Sequence, residues 1–382
     1  MESTYHYITT ADERDAAINA LKQERVIGID TEGDSLYHYD ERVSFIQIAG
    51  AHACYLFDPI LLDSVMPLGV IFGNRDILKV FHGADYDIAS LKRDFNFSIA
   101  ALFDTSLAAR AIGIGEFSLQ SLIARFFGVT LSKTHQKSNW GYRPLKPSQL
   151  EYAQNDVAYL IRLHALLSEE VKKRGREDQL IEECLLMEEI TWHGRPFVPD
   201  DYLKIKGSRV LSYDAQKVLR ALVVLRDQIA RGRNTPPFKV IGNEDLLLLA
   251  KACPKDDSDL ARLFPKESAP THRYGVPLLN AIGEGLKSNT PLPRKERVRR
   301  ENLSSGGERL LARLKLWRNH QAEAEGVEPA MVIPSPVLKE IAMAIPQTVE
   351  VLSSVSSLRP WQVRRYGASL LTEITQAALR PL

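Results

Sequence analysis

Four acidic residues and one tyrosine, spread over three segments, are the side chains of this 382-residue chain best suited to chemistry. They are Asp30, Glu32, Asp87, Tyr152 and Asp156. Hard oxygen ligands with no histidine or cysteine cluster favour Mg²⁺ or Mn²⁺ over zinc. Two such ions about 3.5–4 Å apart can activate a water and stabilise the leaving oxygen of a phosphodiester, and a nearby tyrosine can hold that water. The combination predicts a two-metal site that hydrolyses phosphodiesters.

The first two carboxylates lie on one predicted strand. Val26–Asp30 is predominantly apolar, and Asp30 and Glu32 are two residues apart, so their side chains leave the same face of the sheet. Two carboxylates on a buried strand repel each other unless a cation lies between them. The alternative is that Asp30 caps a turn and Glu32 is solvated.

The third carboxylate lies at the start of a helix. Asp87 opens the helix predicted over Asp87–Phe95, after a strand predicted at Ile77–Phe81. Acidic residues are common there for capping and dipole reasons alone, and Asp85 could equally be the cap. We favour Asp87 as the ligand because the first helical turn can face the sheet edge where Asp30 ends.

The tyrosine and the fourth carboxylate share another helix. Pro147 precedes Ser148–Glu151, which fits a capping box and marks a helix start. The spacing of Tyr152 and Asp156 puts both side chains on one helix face. Taken alone, this pair could be an ordinary helix surface.

The elements that must position these groups form an α/β domain, predicted over residues 1–170. Short apolar runs alternate with helical periodicity, which indicates a mixed sheet flanked by helices. Its other strands and helices are predicted at Val43–Ile48, Cys54–Phe57, Ser106–Ile112 and Leu119–Phe127, the last closed by Gly128.

The remainder of the chain contains an internal repeat. At an offset of 92 residues, 18 of the 64 positions from 219 to 282 are identical, including the run Arg273-Tyr274-Gly275, which matches Arg365-Tyr366-Gly367. The pattern predicts a duplicated helical-bundle domain. We place the copies at 209–288 and 304–382, with a helical and irregular connector at 171–208 and a basic linker at 289–303.

Bulk composition is that of an ordinary globular protein, with 45% hydrophobic residues, 25% charged residues and a net charge of +1. The absence of an 18-residue apolar run and of a signal-peptide pattern predicts no membrane association. Cys54, Cys184 and Cys253 are scattered, which suits a reducing compartment, and we expect a cytoplasmic monomer. The basic stretch Lys287–Arg300 could contact a phosphate backbone or be a flexible linker.

The acidic motifs resemble a known family, the tyrosine-containing branch of the DEDD superfamily of 3′→5′ exonucleases. The resemblance covers about residues 20–165 and rests on Ile29–Glu32, His82–Asp87, Trp140–Leu145 and Tyr152–Asp156. The two repeats resemble HRDC domains, which are small helical bundles.

The resemblance implies an RNase-H-like fold and hydrolysis from the 3′ end to 5′-mononucleotides. It further implies the trimming of structured RNA precursors such as tRNA, with a free RNA 3′ end as the partner. Carried over to this chain, Asp30, Glu32, Asp87 and Asp156 would bind two Mg²⁺ or Mn²⁺ ions, and Tyr152 would orient the attacking water.

A basic, aromatic-containing segment before the last motif is the candidate grip on a single strand. Its residues are Lys133, Gln136, Lys137, Trp140 and Arg143. Trp140 could instead pack against the sheet, and Arg143 could pair with a core carboxylate.

Two departures from the family and two competing functions remain open. Asn139 stands where relatives commonly have an acidic residue, so a substrate contact there could differ. Gly33 follows Glu32, so Tyr37 or Tyr39 could supply a wedge against the terminal base. The alternative functions are a DNA 3′→5′ exonuclease and a catalytically silent RNA-binding or docking protein.

Overall fold

The computed structural model of the chain describes residues 5–194, 196–264, 270–293 and 303–379. Within those ranges, no helix is long and apolar enough to cross a lipid bilayer. Most of the predicted basic linker lies outside the described residues, as does Ala269, which the 92-residue offset aligns with Trp361 of the second repeat.

A six-stranded mixed sheet forms the centre of the amino-terminal domain. Its strands are β1 (Tyr5–Ile8), β2 (Val26–Gly33), β3 (Val43–Ala49), β4 (Cys54–Phe57), β5 (Leu78–Phe81) and β6 (Leu102–Asp104). The spatial order is β1-β4-β3-β2-β5-β6. The β3–β4 pair is antiparallel, whereas β1–β4, β2–β5 and β5–β6 are parallel. The mixed α/β sheet predicted from the sequence is confirmed.

Helices flank this sheet. They are α1 (Ala11–Leu21), α2 (Gly69–Phe72), α3 (Asp85–Phe95), α4 (Thr105–Ala111), α5 (Leu119–Phe127), α6 (Pro147–Ala158), α7 (Leu160–Lys173) and α8 (Glu177–Glu188). The bounds of α5 agree with the prediction because both ends carry local signals. Ser118 accepts a hydrogen bond from Ser121 N–H at the start, and Gly128 adopts a left-handed φ of 68° at the end.

The carboxy-terminal part is all-helical, as predicted. The first repeat comprises α9 (Tyr213–Gly232), α10 (Pro237–Val240), α11 (Asn243–Ala252), α12 (Asp257–Leu263) and α13 (Pro270–Lys287, kinked at Tyr274). The second comprises α14 (Ser305–Glu325), α15 (Pro329–Val332), α16 (Ser335–Ala344), α17 (Val349–Ser353) and α18 (Pro360–Leu379). The pairs α10/α15 and α11/α16 begin and end 92 residues apart, so the sequence repeat is also a structural repeat.

The chain folds into two compact units that do not follow the order of the sequence. One unit holds Met1–Glu32, Val43–Trp192 and Arg299–Leu382, and therefore combines the sheet domain with the second repeat. The other holds Gly33–Arg42 and His193–Val298, so that the ten residues after Glu32 belong with the first repeat.

The two repeats use one pair of equivalent positions differently. In the first repeat Arg233 donates to the hydroxyl of Tyr274. In the second, the equivalent Tyr366 donates to Glu325 Oε2 at 2.7 Å, and the same carboxylate pairs with Arg176. Only 2% of the Arg176 side chain is exposed, so Glu325 compensates the buried cation at the N-cap of α8.

Candidate active site

Three of the predicted carboxylates meet at the end of β2. Single oxygens of Asp30, Glu32 and Asp156 all lie within 4.8 Å of one another. Asp30 and Glu32 leave the same face of β2, and Asp156 reaches them from α6. A single hard divalent cation can be bound by three carboxylate oxygens at this separation, so the donor set fits Mg²⁺ or Mn²⁺.

A glycine on β2 makes this convergence sterically possible. A Cβ atom at Gly28 would lie 2.9 Å from Leu160 Cβ and 3.2 Å from the Val157 carbonyl oxygen. Any larger residue would therefore push the strand away from the junction of α6 and α7. The glycine two residues before Asp30 thus allows the strand to approach the helix that carries Asp156.

Asp87 lies beside this cluster, on α3. Its carboxylate accepts a hydrogen bond from the hydroxyl of Thr31, the residue between Asp30 and Glu32. Asp85, the alternative considered from the sequence, is exposed, and Ala84 rather than Asp85 is the N-cap of α3. The structure therefore brings Asp87, and not Asp85, to the strand that carries the other acids. Thr31 is a contact that the sequence analysis missed.

Tyr152 shares one face of α6 with Asp156, and its phenol is hydrogen-bonded to that carboxylate. The start of this helix differs from the capping box predicted at Ser148–Glu151. Lys146 is the N-cap, and its N–H donates to Gln149 Oε1 at 3.1 Å. The proline at the first helical position shifts the box two residues towards the amino terminus.

Burial and mutual repulsion dominate the electrostatics of the cluster. Burial, followed by repulsion from neighbouring carboxylates, raises the pKa of Asp30 and of Glu32 well above the usual range. Burial raises the pKa of Asp87 to about 6 and that of Asp156 to about 7. Such a cluster holds protons when it is free of metal, and a bound cation would displace them.

The environment of Tyr152 determines whether its phenol can act as a base. Burial and the adjacent Asp156 carboxylate raise its pKa, so the phenol stays protonated at neutral pH. A protonated phenol can donate or accept a hydrogen bond but cannot act as a strong base. The group is therefore suited to orienting a water molecule rather than deprotonating it.

Two residues predicted to grip substrate have structural partners instead. Trp140 is 1% exposed and stacks on Phe45 with ring centroids 5.7 Å apart, so its ring cannot stack on a nucleobase. Arg143 binds the buried carboxylate of Asp58 through two nitrogens, at 2.5 and 2.7 Å. The packing and ion-pair alternatives hold for these two residues, because an apolar pocket and a buried acid are both available within the domain.

The remaining residues of that segment are neighbours in the chain of residues that line an open cleft. Lys133 and Gln136 are exposed. A cleft of about 250 Å³ beside them is lined by residues that include Thr134, His135, Tyr152, Asn155 and Asp156. His135, whose ring centroid is 6.0 Å from that of Tyr152, was not singled out from the sequence, although it lies in the same basic segment.

The wedge suggested for Tyr37 or Tyr39 is not supported. Lys239 Nζ lies 3.7 Å from the centre of the Tyr37 ring, and the hydroxyl of Tyr39 donates to Asp227. Both tyrosines therefore pack against the first repeat.

Comparison with known protein families agrees with this architecture. The family model for a 3′-5′ exonuclease matches residues 5–172, and the HRDC domain model matches residues 215–282 and 307–374. Fold and acidic cluster together define the class as a 3′-5′ exonuclease carrying two HRDC domains.

Comparison with individual proteins identifies the family within this class. A ribonuclease D of Desulfotalea psychrophila is 30% identical over 340 residues, which cover 88% of this chain and 90% of the relative. The chain belongs to the ribonuclease D family.

Solved structures show the same fold. The crystal structure of Escherichia coli RNase D, an exoribonuclease involved in structured RNA processing, has a TM-score of 0.68 at 23% identity and covers 98% of this chain and 99% of its own. A protein from Bifidobacterium adolescentis has a TM-score of 0.76 at 22% identity, with 97% of each chain covered.

Proposed function

We propose that this 3′-5′ exoribonuclease releases 5′-mononucleotides from a free RNA 3′ end, with Asp30, Glu32, Asp87 and Asp156 as ligands of two divalent ions. The observation that carries the proposal is the convergence of three carboxylates within 4.8 Å, with Asp87 held at the same strand by Thr31. Bound there, Mg²⁺ or Mn²⁺ would supply an activated water and neutralise the leaving oxygen.

The protein side chains have separate tasks in this mechanism. Asp30 and Glu32 lie on one face of β2 and Asp156 lies on α6, so two elements would supply the ligands that hold the metal ions. Tyr152 keeps its proton and lies against Asp156, where it would orient the attacking water. Its position is supported by the buried Trp140, whose ring centroid lies 6.1 Å away.

The exposed Lys133 and Gln136, at the cleft beside Tyr152, are the candidates for contact with the RNA strand. The physiological substrates we propose are precursors of tRNA and other structured RNAs. The description of the Escherichia coli relative as an exoribonuclease of structured RNA processing supports this choice. Cytoplasmic location and a monomeric state stay predictions.

The test is digestion of a 5′-labelled RNA with a 3′-hydroxyl, in Mg²⁺ and separately in Mn²⁺, resolved to single nucleotides. The wild type should shorten the strand stepwise, and Asp30→Asn should leave it intact. A matched DNA strand distinguishes the alternative DNA exonuclease, and RNA binding in EDTA without any digestion under either metal would favour a silent binding protein. Asp85→Asn is the control, since an exposed carboxylate outside the cluster should leave digestion unchanged.

A further inference from the structure

The segment Gly33–Arg42 directly follows the metal-ligand candidate Glu32 and consists of the last residue of β2 and the loop that leads to β3. It belongs to the same compact unit as the first HRDC domain. The contacts of this segment therefore bear directly on the position of the end of β2, the strand that carries Asp30 and Glu32.

The base of this loop is closed by one buried acid. Asp34 is fully buried and accepts hydrogen bonds from Arg42 N–H at 2.8 Å and from Arg42 Nε at 3.2 Å. Asp34 directly follows β2 and Arg42 directly precedes β3, so these bonds tie together the two ends of the loop next to both strands.

The tip of the loop is bound to the first HRDC domain. Asn234 Oδ1 accepts from the backbone N–H groups of Tyr39, at 2.9 Å, and of Asp40, at 3.3 Å. The Tyr39 hydroxyl donates to Asp227 Oδ1 at 2.5 Å and accepts from Arg231 Nη2 at 3.1 Å. The Tyr39 ring also packs against the hydrophobic core of this domain. The loop is thus held by specific bonds to α9 and the residues just after it.

The duplication shows that these partners are specific to the first repeat. At the offset of 92 residues, Asp227, Arg231 and Asn234 correspond to Asn319, Glu323 and Gly326. All three positions that hold the loop differ between the copies, although many core positions are identical. The second copy therefore lacks the groups that could hold a loop of this kind.

We propose that the first HRDC domain is a positioning element of the catalytic centre, acting through Tyr39 and Asn234 on the end of β2, where Glu32 lies. The inference rests on the proposed function. Metal ligands and nucleophile must be aligned to well under 1 Å, and small displacements from remote changes cost up to about 100-fold in rate. The first HRDC domain would then contribute to the chemical step even when the RNA substrate is too short to reach beyond the active site.

The test compares the Tyr39→Ala/Asn234→Ala double variant with the wild type on a short single-stranded RNA. We expect kcat to fall about 10-fold, because the ligands are less well aligned, while KM is unchanged. The binding of Mn²⁺ to the RNA-free protein, measured by electron paramagnetic resonance, should weaken several-fold. Asp227→Asn keeps an acceptor for the Tyr39 hydroxyl and should retain most of the activity, whereas Asp227→Leu should lower kcat by no more than the double variant does.

Asn319→Ala is the matched control, because Asn319 occupies the position of Asp227 in the second copy and is exposed. The inference is overturned if the double variant keeps wild-type kcat and Mn²⁺ affinity, if the control loses as much, or if KM alone rises. A wild type that cleaves normally beside such variants leaves the proposed function intact. A wild type that releases no nucleotide refutes the proposed function and this inference with it.

Discussion

Replacing Arg143 with methionine should destabilise the exonuclease domain rather than weaken RNA binding. Arg143 is 11% exposed and binds Asp58, which is fully buried, through Nε and Nη2. Its other bonds are to backbone carbonyls, including that of Trp140 at 2.6 Å. Removing one partner of a buried ion pair costs about 3–5 kcal/mol because the remaining charge is unpaired. Since Tyr7 still donates to Asp58, at 2.5 Å, we expect the lower end, about 3 kcal/mol.

The assay is urea denaturation of Arg143→Met beside wild type, with RNA cleavage measured under native conditions. Lys133→Met is the control, because it removes a cation from the same segment at an exposed position. The control should leave the free energy of unfolding unchanged and raise KM. A variant Arg143→Met with wild-type stability and a raised KM would refute the structural role and return Arg143 to the substrate-binding set.

Three further predictions concern the cluster and the second HRDC domain. Because the folded-state pKa of Asp156 is about 7, the folded protein holds a proton that the unfolded chain releases. The Tm of the metal-free protein should therefore fall as pH rises from about 5 to about 8, and calorimetry should show Asp30→Asn raising that Tm by relieving repulsion. Tyr152→Phe should lower kcat about 100-fold while Mn²⁺ binding is kept, which single-turnover kinetics and metal titration would check. Trp361→Phe removes the 3.0 Å indole bond to Glu183, so limited proteolysis should cleave the second HRDC domain faster, reflecting a loss of about 1.5 kcal/mol.

The sequence predicted those parts of the structure that local signals determine. β4 and α5 have the predicted bounds because a clear apolar run or caps mark them, and the ordered motifs predicted which carboxylates converge. The edge strands β1 and β6 were missed, since His6 interrupts the short apolar pattern of β1 and β6 has only three residues. Trp140 and Arg143 show a different limit. A cation can bind a buried acid or a phosphate, and an aromatic ring can pack in a core or stack on a base, so only the positions of Asp58 and Phe45 in the fold decide between these roles.

Arg233 and Glu325 occupy equivalent positions in the two repeats but carry opposite charges, so the repeats could not exchange places without a change in their contacts. Glu325 neutralises the buried Arg176, whereas the first repeat has a second guanidinium at that position, beside Tyr274. A chimera in which a copy of the first repeat replaced the second would place a second guanidinium beside Arg176, of whose side chain only 2% is exposed. The two repeats are therefore not interchangeable, and a functional exchange would require a matching change at Arg176.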